Sequence, residues 1–355
     1  MKILYVITGL GVGGAERVVC DLADQMVIKG YEVKIIYLTG NVLVKPISSE
    51  IQIIPLHLTS IKNLIKASIK YKKVIKEFSP DVIHSHMIHA NIFARINHLS
   101  FRHIQLICTA HNSNEGGRVR MLAYKFTNFL SNLNTNVSKE ASASLISKGA
   151  FNSHNLITIY NGIDLKKFNF LNKDIGLNDH LFFLSIGRFN DQKDYPNLFN
   201  AISILKTRLN KKIKFYIAGD GELRTQLEQL IFELEISDCV VLLGKRSDIP
   251  SLLNKADYFI LSSKHEGLPT VVIESMACGT FVIATDCGGS AEIMGDTGIL
   301  VTPQNSEALA QALINAINKT SLEIKDNNLK ARKRVEELFS LEKSVEKWLK
   351  IYKND

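Results

Sequence analysis

The sequence predicts an α/β fold in two domains built on parallel sheets, and three observations carry that expectation. A strand–helix–strand pattern with a glycine-rich first turn fills residues 3–38. A second strand–turn–helix–strand pattern, punctuated by glycine and proline, fills residues 258–284. At 355 residues the chain has the length of two ordinary domains. Parallel strands need crossover connections, and the intervening helices supply them.

Bulk composition narrows the class. Hydrophobic content of 46% with 22% charged residues describes a soluble globular protein. No apolar run approaches the roughly 20 residues of a membrane span. The apolar start, residues 2–7, imitates a short signal peptide, but Gly9, Gly11, Gly13 and Gly14 interrupt it, so a buried first strand is the better reading. Five scattered cysteines (Cys20, Cys108, Cys239, Cys278, Cys287) form no C-x-x-C pair and read as small buried hydrophobes in a reducing cytoplasm. Charge is uneven. Residues 1–168 hold 20 Lys+Arg against 10 Asp+Glu, a net of +10, while residues 169–355 hold 23 against 25, a net of −2. Such asymmetry points to an anionic partner for the basic half: nucleic acid, a phosphorylated substrate or a membrane surface. The basic segments lack interleaved aromatics, so nucleic acid is not expected.

The first strand, residues 3–7, runs into Gly9-x-Gly11-x-x-Gly14 and a helix over about 15–29, with Val18, Val19, Leu22 and Met26 at helical spacing. This matches the dinucleotide-binding fingerprint literally. That fingerprint also needs a carboxylate at the end of the second strand, and here the strand ends Leu38-Thr39-Gly40-Asn41. The glycines still suit close approach of backbone to a ligand, or simply a tight turn. Residues 61–78 carry Ile61, Leu64, Ile65, Ile69 and Phe78 at helical spacing, with six lysines against one glutamate. They predict a helix packed on the sheet, with a basic outer face suited to anionic lipid headgroups. Residues 81–86 predict a strand ending His84-Ser85-His86. With His89 these histidines suggest a metal, but no carboxylate or cysteine completes a set, so structural or cleft-lining roles are favoured and no metal is expected. Another strand, 106–112, ends at His111, before a polar loop from Ser113 to Arg120 in which Arg118 and Arg120 are candidates for an acceptor phosphate.

A domain boundary is expected near residue 165, giving domains 1–164 and 165–340, with a polar linker over 168–180. The second domain opens with the strand 181–186 and a loop holding Arg188 and Lys193. Two cations at a strand end can neutralise a diphosphate. Strands follow at 215–218 and 240–243, the latter leading to Lys245 and Arg246. The strand 258–261 leads into the most informative stretch, Glu266-Gly267-Leu268-Pro269-Thr270-Val271-Val272-Ile273-Glu274-Ser275-Met276-Ala277-Cys278-Gly279. A helix is expected after Pro269 and a stop at Gly279. A loop between parallel strand and helix opens at the carboxyl end of the sheet, where ligands bind, and the helix start suits a phosphate. Carboxylates accept pairs of hydrogen bonds from sugar hydroxyls, so Glu266 and Glu274 could hold two rings of one ligand. The alternative is a capping and a solvated glutamate. Further helices are expected at 306–317 and 341–352.

Glu266-x7-Glu274 in this setting, followed by Val282-Ile283-Ala284-Thr285 and Gly288-Gly289-x-x-Glu292, resembles the signature of retaining glycosyltransferases of family 4. The resemblance implies the GT-B architecture, two Rossmann-like domains facing a cleft, with the tail from about 341 to 355 returning to the first, acceptor-side domain. It implies transfer from a nucleotide-diphosphate sugar, of UDP type, to a glycan or polyprenyl-diphosphate-linked acceptor in surface polysaccharide or O-antigen assembly, without cofactor or metal. No Asp-x-Asp motif is present. It assigns His111 to the active site between donor sugar and acceptor, Gly13 and Gly14 to a diphosphate loop, and Arg188 and Lys193 to the leaving diphosphate. The Arg246 loop is assigned to the base, Glu274 to the ribose, Glu266 to the donor sugar, and Gly267, Leu268, Pro269 and Thr270 to the same donor pocket. The lipid-linked acceptor and the charge asymmetry together place the enzyme in the cytoplasm, peripheral at the inner face of the membrane. Rival readings are an epimerase or phosphorylase of the same architecture, or a non-catalytic membrane-bound protein that binds nucleotide sugar.

Overall fold

The computed structural model describes residues 1–11, 13–112, 117–171, 180–209 and 211–354, so parts of the expected loop 113–120 and linker 168–180 lie outside the described residues. The chain divides into two compact units, residues 1–162 with 341–355, and residues 163–340.

The first unit is a seven-stranded parallel sheet. In chain order its elements are β1 (Lys2–Ile7), α1 (Gly14–Ile28), β2 (Glu32–Tyr37), β3 (Gln52–Pro55), α2 (Leu64–Phe78), β4 (Val82–His86), α3 (Ile88–His98), β5 (Gln105–Ala110), α4 (Arg118–Thr127), β6 (Leu133–Asn136), α5 (Lys139–Ser147) and β7 (Leu156–Thr158). The strand order is β3-β2-β1-β4-β5-β6-β7, so the winding reverses between β1 and β4. One face packs on α1, through Val19, Leu22 and Met26, and on Val345, Trp348 and Tyr352 of the last helix. The other face packs on α2 and α3.

Helix α2 corrects the sequence reading. Ala67, Tyr71, Val74, Ile75 and Phe78 face the sheet. Of the stripe expected to pack, Phe78 is buried, while Ile61, Leu64, Ile65 and Ile69 are 85%, 38%, 75% and 65% exposed, so most of it faces water. The segment has two apolar stripes, and burial goes to the one holding the aromatic rings, which remove more surface from water.

The second unit is a six-stranded parallel sheet, ordered β10-β9-β8-β11-β12-β13. Its elements are β8 (Leu181–Ile186), α6 (Tyr195–Arg208), β9 (Ile213–Ala218), α7 (Arg224–Glu233), β10 (Val240–Gly244), α8 (Ile249–Lys255), β11 (Tyr258–Leu261), α9 (Thr270–Ala277), β12 (Phe281–Thr285), α10 (Ser290–Met294), β13 (Ile299–Val301), α11 (Ser306–Ile317) and α12 (Ser321–Leu338). The chain ends in α13 (Leu341–Lys353), which belongs to the first unit. Here the winding reverses between β8 and β11. The aromatic residues Phe183, Phe215 and Tyr258 stack across adjacent strands at 4.6 and 4.8 Å, fixing the register of those strands from inside the core. The sequence reading did not include α12. It starts with a capping box between Thr320 and Glu323, and it holds the ends of two shorter helices. Asn328 donates to Gly279 O and Arg332 to Ala277 O, at the end of α9, while Arg334 donates to Glu292 O and Ile293 O in α10.

Candidate functional site

In doubly wound sheets ligands bind outside the carboxyl ends of the strands where the winding reverses. In the second unit that point lies between the loops after β8 and β11, which carry Lys193 and Glu266. Their side chains meet, with Lys193 Nζ 2.6 Å from Glu266 Oε1. Glu266 is 9% exposed and also accepts from Ser263 Oγ at 2.7 Å and from Gln192 Nε2 at 3.3 Å. Lys193 ends a short 3-10 turn, Asp191–Lys193, whose backbone is fixed by Asn190 Oδ1 accepting from Lys193 N. Ser263 and Gln192 were not singled out from the sequence. Each lies within three residues of a named group, which was the available signal.

Glycine explains how Glu266 is held. Gly288 has φ +56°, and a Cβ there would run into the backbone of Glu266. Gly289 N donates to Gly267 O at 2.8 Å, and Thr285 Oγ1 donates to Ser263 O at 2.7 Å. The loop after β12 thus buttresses the loop after β11, and the second glycine pair of the motif acts through packing. Leu268 is buried at 7% exposure. Pro269 precedes α9, and no side chain caps the first turn of that helix. Such a start presents N–H groups and the positive end of the helix dipole. Glu274 is half-buried one turn further on.

The remaining cations stand apart from the Lys193–Glu266 pair. Arg188 is 67% exposed and pairs with Glu222 at 3.1 Å. Arg246 is exposed and bound by two nitrogens to Asp248, at 2.8 and 2.7 Å. Lys264 pairs with Asp191 at 2.6 Å. These four named cations therefore each hold a carboxylate, and the site's positive charge is locally neutralised.

In the first unit, Gly13 has φ −170°, extended backbone open to any residue, so its requirement is space. A Cβ at Gly13 would meet the Glu16 carboxylate, which folds over the start of α1. Burial raises the Glu16 pKa. An anion arriving at Gly13 and Gly14 would have to displace this carboxylate, so the loop is occupied by the protein's own negative group.

The histidines sort by depth. His84 Nδ1 is 2.6 Å from Tyr352 Oη, and its Nε2 is 2.7 Å from Thr109 Oγ1. His86 Nδ1 is 3.0 Å from His111 Nε2, while His89 is exposed on α3 and does not join them. Among the described residues, no three histidine, cysteine or carboxylate side chains converge as metal ligands. Burial pulls the His111 pKa down to about 4, and it lowers His84 and His86 well below the usual imidazole value, with neighbouring histidines adding to the shift. At neutral pH these rings are uncharged. Arg118 and Arg120 lie exposed on α4.

Comparison with known proteins finds relatives for both units. Residues 12–167 match the family described as Glycosyltransferase Family 4, and residues 168–336 match Glycosyl transferases group 1. The chain is 30% identical over 306 residues to an uncharacterised glycosyltransferase of Methanocaldococcus jannaschii, covering 82% of this chain and 80% of that one. It is 29% identical over 340 residues to the Campylobacter jejuni N-acetylgalactosamine-N,N'-diacetylbacillosaminyl-diphospho-undecaprenol 4-alpha-N-acetylgalactosaminyltransferase, covering 91% and 90%. Among solved structures, a glycosyltransferase from Rickettsia africae superimposes with a TM-score of 0.85 at 23% identity, over 99% of this chain and 98% of that one. Anabaena HepE in complex with UDP does so with a TM-score of 0.84 at 20% identity, over the full length of both. Both structural likenesses are of fold.

Proposed function

The chain belongs to the family 4, group 1 glycosyltransferases, a family of retaining enzymes, and from that membership we propose that it moves a sugar from a UDP-sugar to a glycan carried on a polyprenyl diphosphate. The acceptor class is supported by the C. jejuni relative, whose name specifies a diphospho-undecaprenol acceptor. The donor is supported by the UDP complex of a protein with this fold.

The observation that carries the reading is the Lys193–Glu266 pair beside the uncapped start of α9, at the switch point of the second sheet. Transfer breaks the bond from the anomeric carbon to the β-phosphate oxygen. The electron pair leaves with the diphosphate, and the sugar ring gains positive charge. Preorganised donors aimed at that growing negative charge lower the barrier most. Lys193, the α9 first-turn N–H groups and Arg188, once drawn from Glu222, fill this role. Glu266 orients the sugar's hydroxyls, Glu274 the ribose, and His111 is assigned to the sugar. Gly13 and Gly14 are weaker candidates for the diphosphate, because Glu16 stands over them.

The reading places the enzyme at an anionic membrane surface through α2. Lys62, Lys66, Lys73 and Lys76 are exposed there beside the exposed isoleucines. No helix among the described residues is long and apolar enough to cross a membrane.

The experiment is incubation of purified protein with a panel of UDP-sugars and a polyprenyl-diphosphate-linked amino sugar. One donor should give a product whose new linkage keeps the donor's α configuration by NMR. Absence of transfer and of UDP release with every donor would overturn the assignment.

A further inference from the structure

The amino end of the first unit's sheet carries positive charge that the chain does not balance. Residues 82–114 and 116–139 contain no Asp or Glu. Arg95, on α3, is 0% exposed, and a guanidinium keeps its charge inside a protein. It donates to Thr127 Oγ1 and Asn134 Oδ1, both neutral, and its Cζ lies 5.0 and 5.6 Å from the ring centres of Tyr124 and Phe151. Its Nε is buried without a hydrogen-bond partner. A buried charge is ordinarily paired. Among the described residues, no carboxylate forms an ion pair with Arg95 or with Arg102, which is exposed just beyond the end of α3.

A cavity of about 270 Å³ opens beside this charge, where α3 ends and β6 begins. His98, Arg102, Ser131 and Asn132 give it polar walls, and Leu99 and Phe129 give it apolar ones. The Ser131 hydroxyl lies 2.8 Å from the same Asn134 Oδ1 that Arg95 holds, which puts the buried guanidinium just behind the wall. His98 is 5% exposed. Burial lowers its pKa, with Arg102 and His103 adding to the shift, so the ring is neutral at pH 7. Its Nδ1 is buried without a partner, and a bare acceptor is better tolerated there than a bare N–H. The proton therefore sits on Nε2, as a donor. Lys72 of α2 reaches the same turn and donates to Ser100 Oγ at 3.1 Å. The negative end of the α3 dipole offsets only about half of one elementary charge, less than either arginine carries.

We propose that this cavity binds a phosphate group, with Arg102 and the Nε2–H of His98 as donors and Arg95 as the fixed charge behind them. A phosphate monoester carries close to two negative charges at pH 7, which match the two guanidinium groups, and the arginine fork fits its oxygens. A lipid headgroup and a soluble phosphate ester share this chemistry. A lipid would also lay its chains over Leu99 and Phe129, which are 52% and 73% exposed. The site goes beyond the transfer reaction, since it lies at the opposite end of the strands from His86 and His111.

The test is NMR of the His98 imidazole, assigned by its loss in His98→Gln. Glycerol 3-phosphate is titrated at constant ionic strength, with UDP present throughout to fill the nucleotide site. The His98 signals should move along a saturable curve. Arg102→Gln, a change at an exposed side chain, should weaken binding about tenfold or more. Dihexanoyl phosphatidic acid, which has the same headgroup, distinguishes the sources. An affinity about tenfold or more above that of glycerol 3-phosphate assigns the site to a lipid headgroup, and a comparable affinity assigns it to a soluble ester. A His98 signal that chloride moves equally, or that drifts without saturating, overturns the site. So does an Arg102→Gln protein with wild-type affinity. The readout needs no turnover, so a protein that transfers no sugar would sink the assigned reaction and leave this site testable.

Discussion

The proposed reaction turns on Lys193 and Glu266, and their mutual contact changes what each substitution does. Lys193→Ala removes a cation from the leaving diphosphate and takes its ion pair from Glu266, which is 9% exposed. Turnover should fall roughly 10²–10³-fold, by analogy with losing an oxyanion donor. Stability should fall as well, by about 3 kcal/mol, because a nearly buried carboxylate loses its Lys193 ion pair. Glu266→Gln keeps the shape and most hydrogen bonds, so it should fold well and lose transfer; near wild-type turnover in both would contradict their roles. Arg188→Ala should cost less, about tenfold, since the side chain is exposed and already engaged with Glu222. Gly288→Ala alters no charged or polar side chain, yet its Cβ would push the Glu266 backbone. It should lower kcat in steady-state assays, and an unchanged kcat would show that the loop tolerates the shift. The buried histidines add a pH dependence. Their pKa values in the folded chain lie below the ordinary value of about 6.5, to about 4 for His111, so the unfolded chain binds more protons in between. Stability is therefore complete above pH about 6.5 and is lost as pH falls towards 4, with His111 alone contributing about 3 kcal/mol of that loss. Thermal melts across this window should show the fall, and a flat profile would contradict it.

The elements were legible where chemistry is local. The run from Glu266 to Gly279 could be read because proline, glycine and an apolar period mark loop, helix and stop within one window, and α9 occupies Thr270–Ala277. Contacts between distant positions were not legible. Lys193 and Glu266 are 73 residues apart, and His86 and His111 are 25 apart; only the winding of the sheets brings them together. Helix α12 escaped because its polar surface hides the apolar period, although Thr320 and Glu323 spelled its capping box. Helix α2 was recognised as a helix and Phe78 does face inward, but Ile61, Ile65 and Ile69 of the expected stripe face outward. Spacing alone cannot choose which neighbours join Phe78, and the sheet takes Tyr71, Val74 and Ile75 rather than Ile61, Ile65 and Ile69. The outcome strengthens the surface reading, because basic and apolar groups now share the exposed side. Charge reversal at Lys62, Lys66 and Lys73 should release the protein from anionic vesicles in flotation. Lys70 is a poor choice for that test, since it donates to Pro55 O at 2.6 Å and its loss would disturb β3. Each lysine near such a surface contributes about 1 kcal/mol. Equal flotation with neutral vesicles, or none at all, would reject electrostatic docking.

Across the whole molecule, charge and chemistry are divided. Net positive charge of +10 belongs to residues 1–168, while residues 169–355 carry −2, and the Lys193–Glu266 and Lys264–Asp191 pairs balance charge at the second switch point. The central claim is that this neutral, preorganised site on the second unit takes the nucleoside diphosphate. Calorimetric titration of UDP into the wild type, Lys193→Ala and Glu274→Ala tests it most directly. Wild type should bind, and each variant should bind about tenfold more weakly, as expected for the loss of one charge-assisted hydrogen bond. Equal affinity in all three proteins, or no heat with the wild type, would contradict the account.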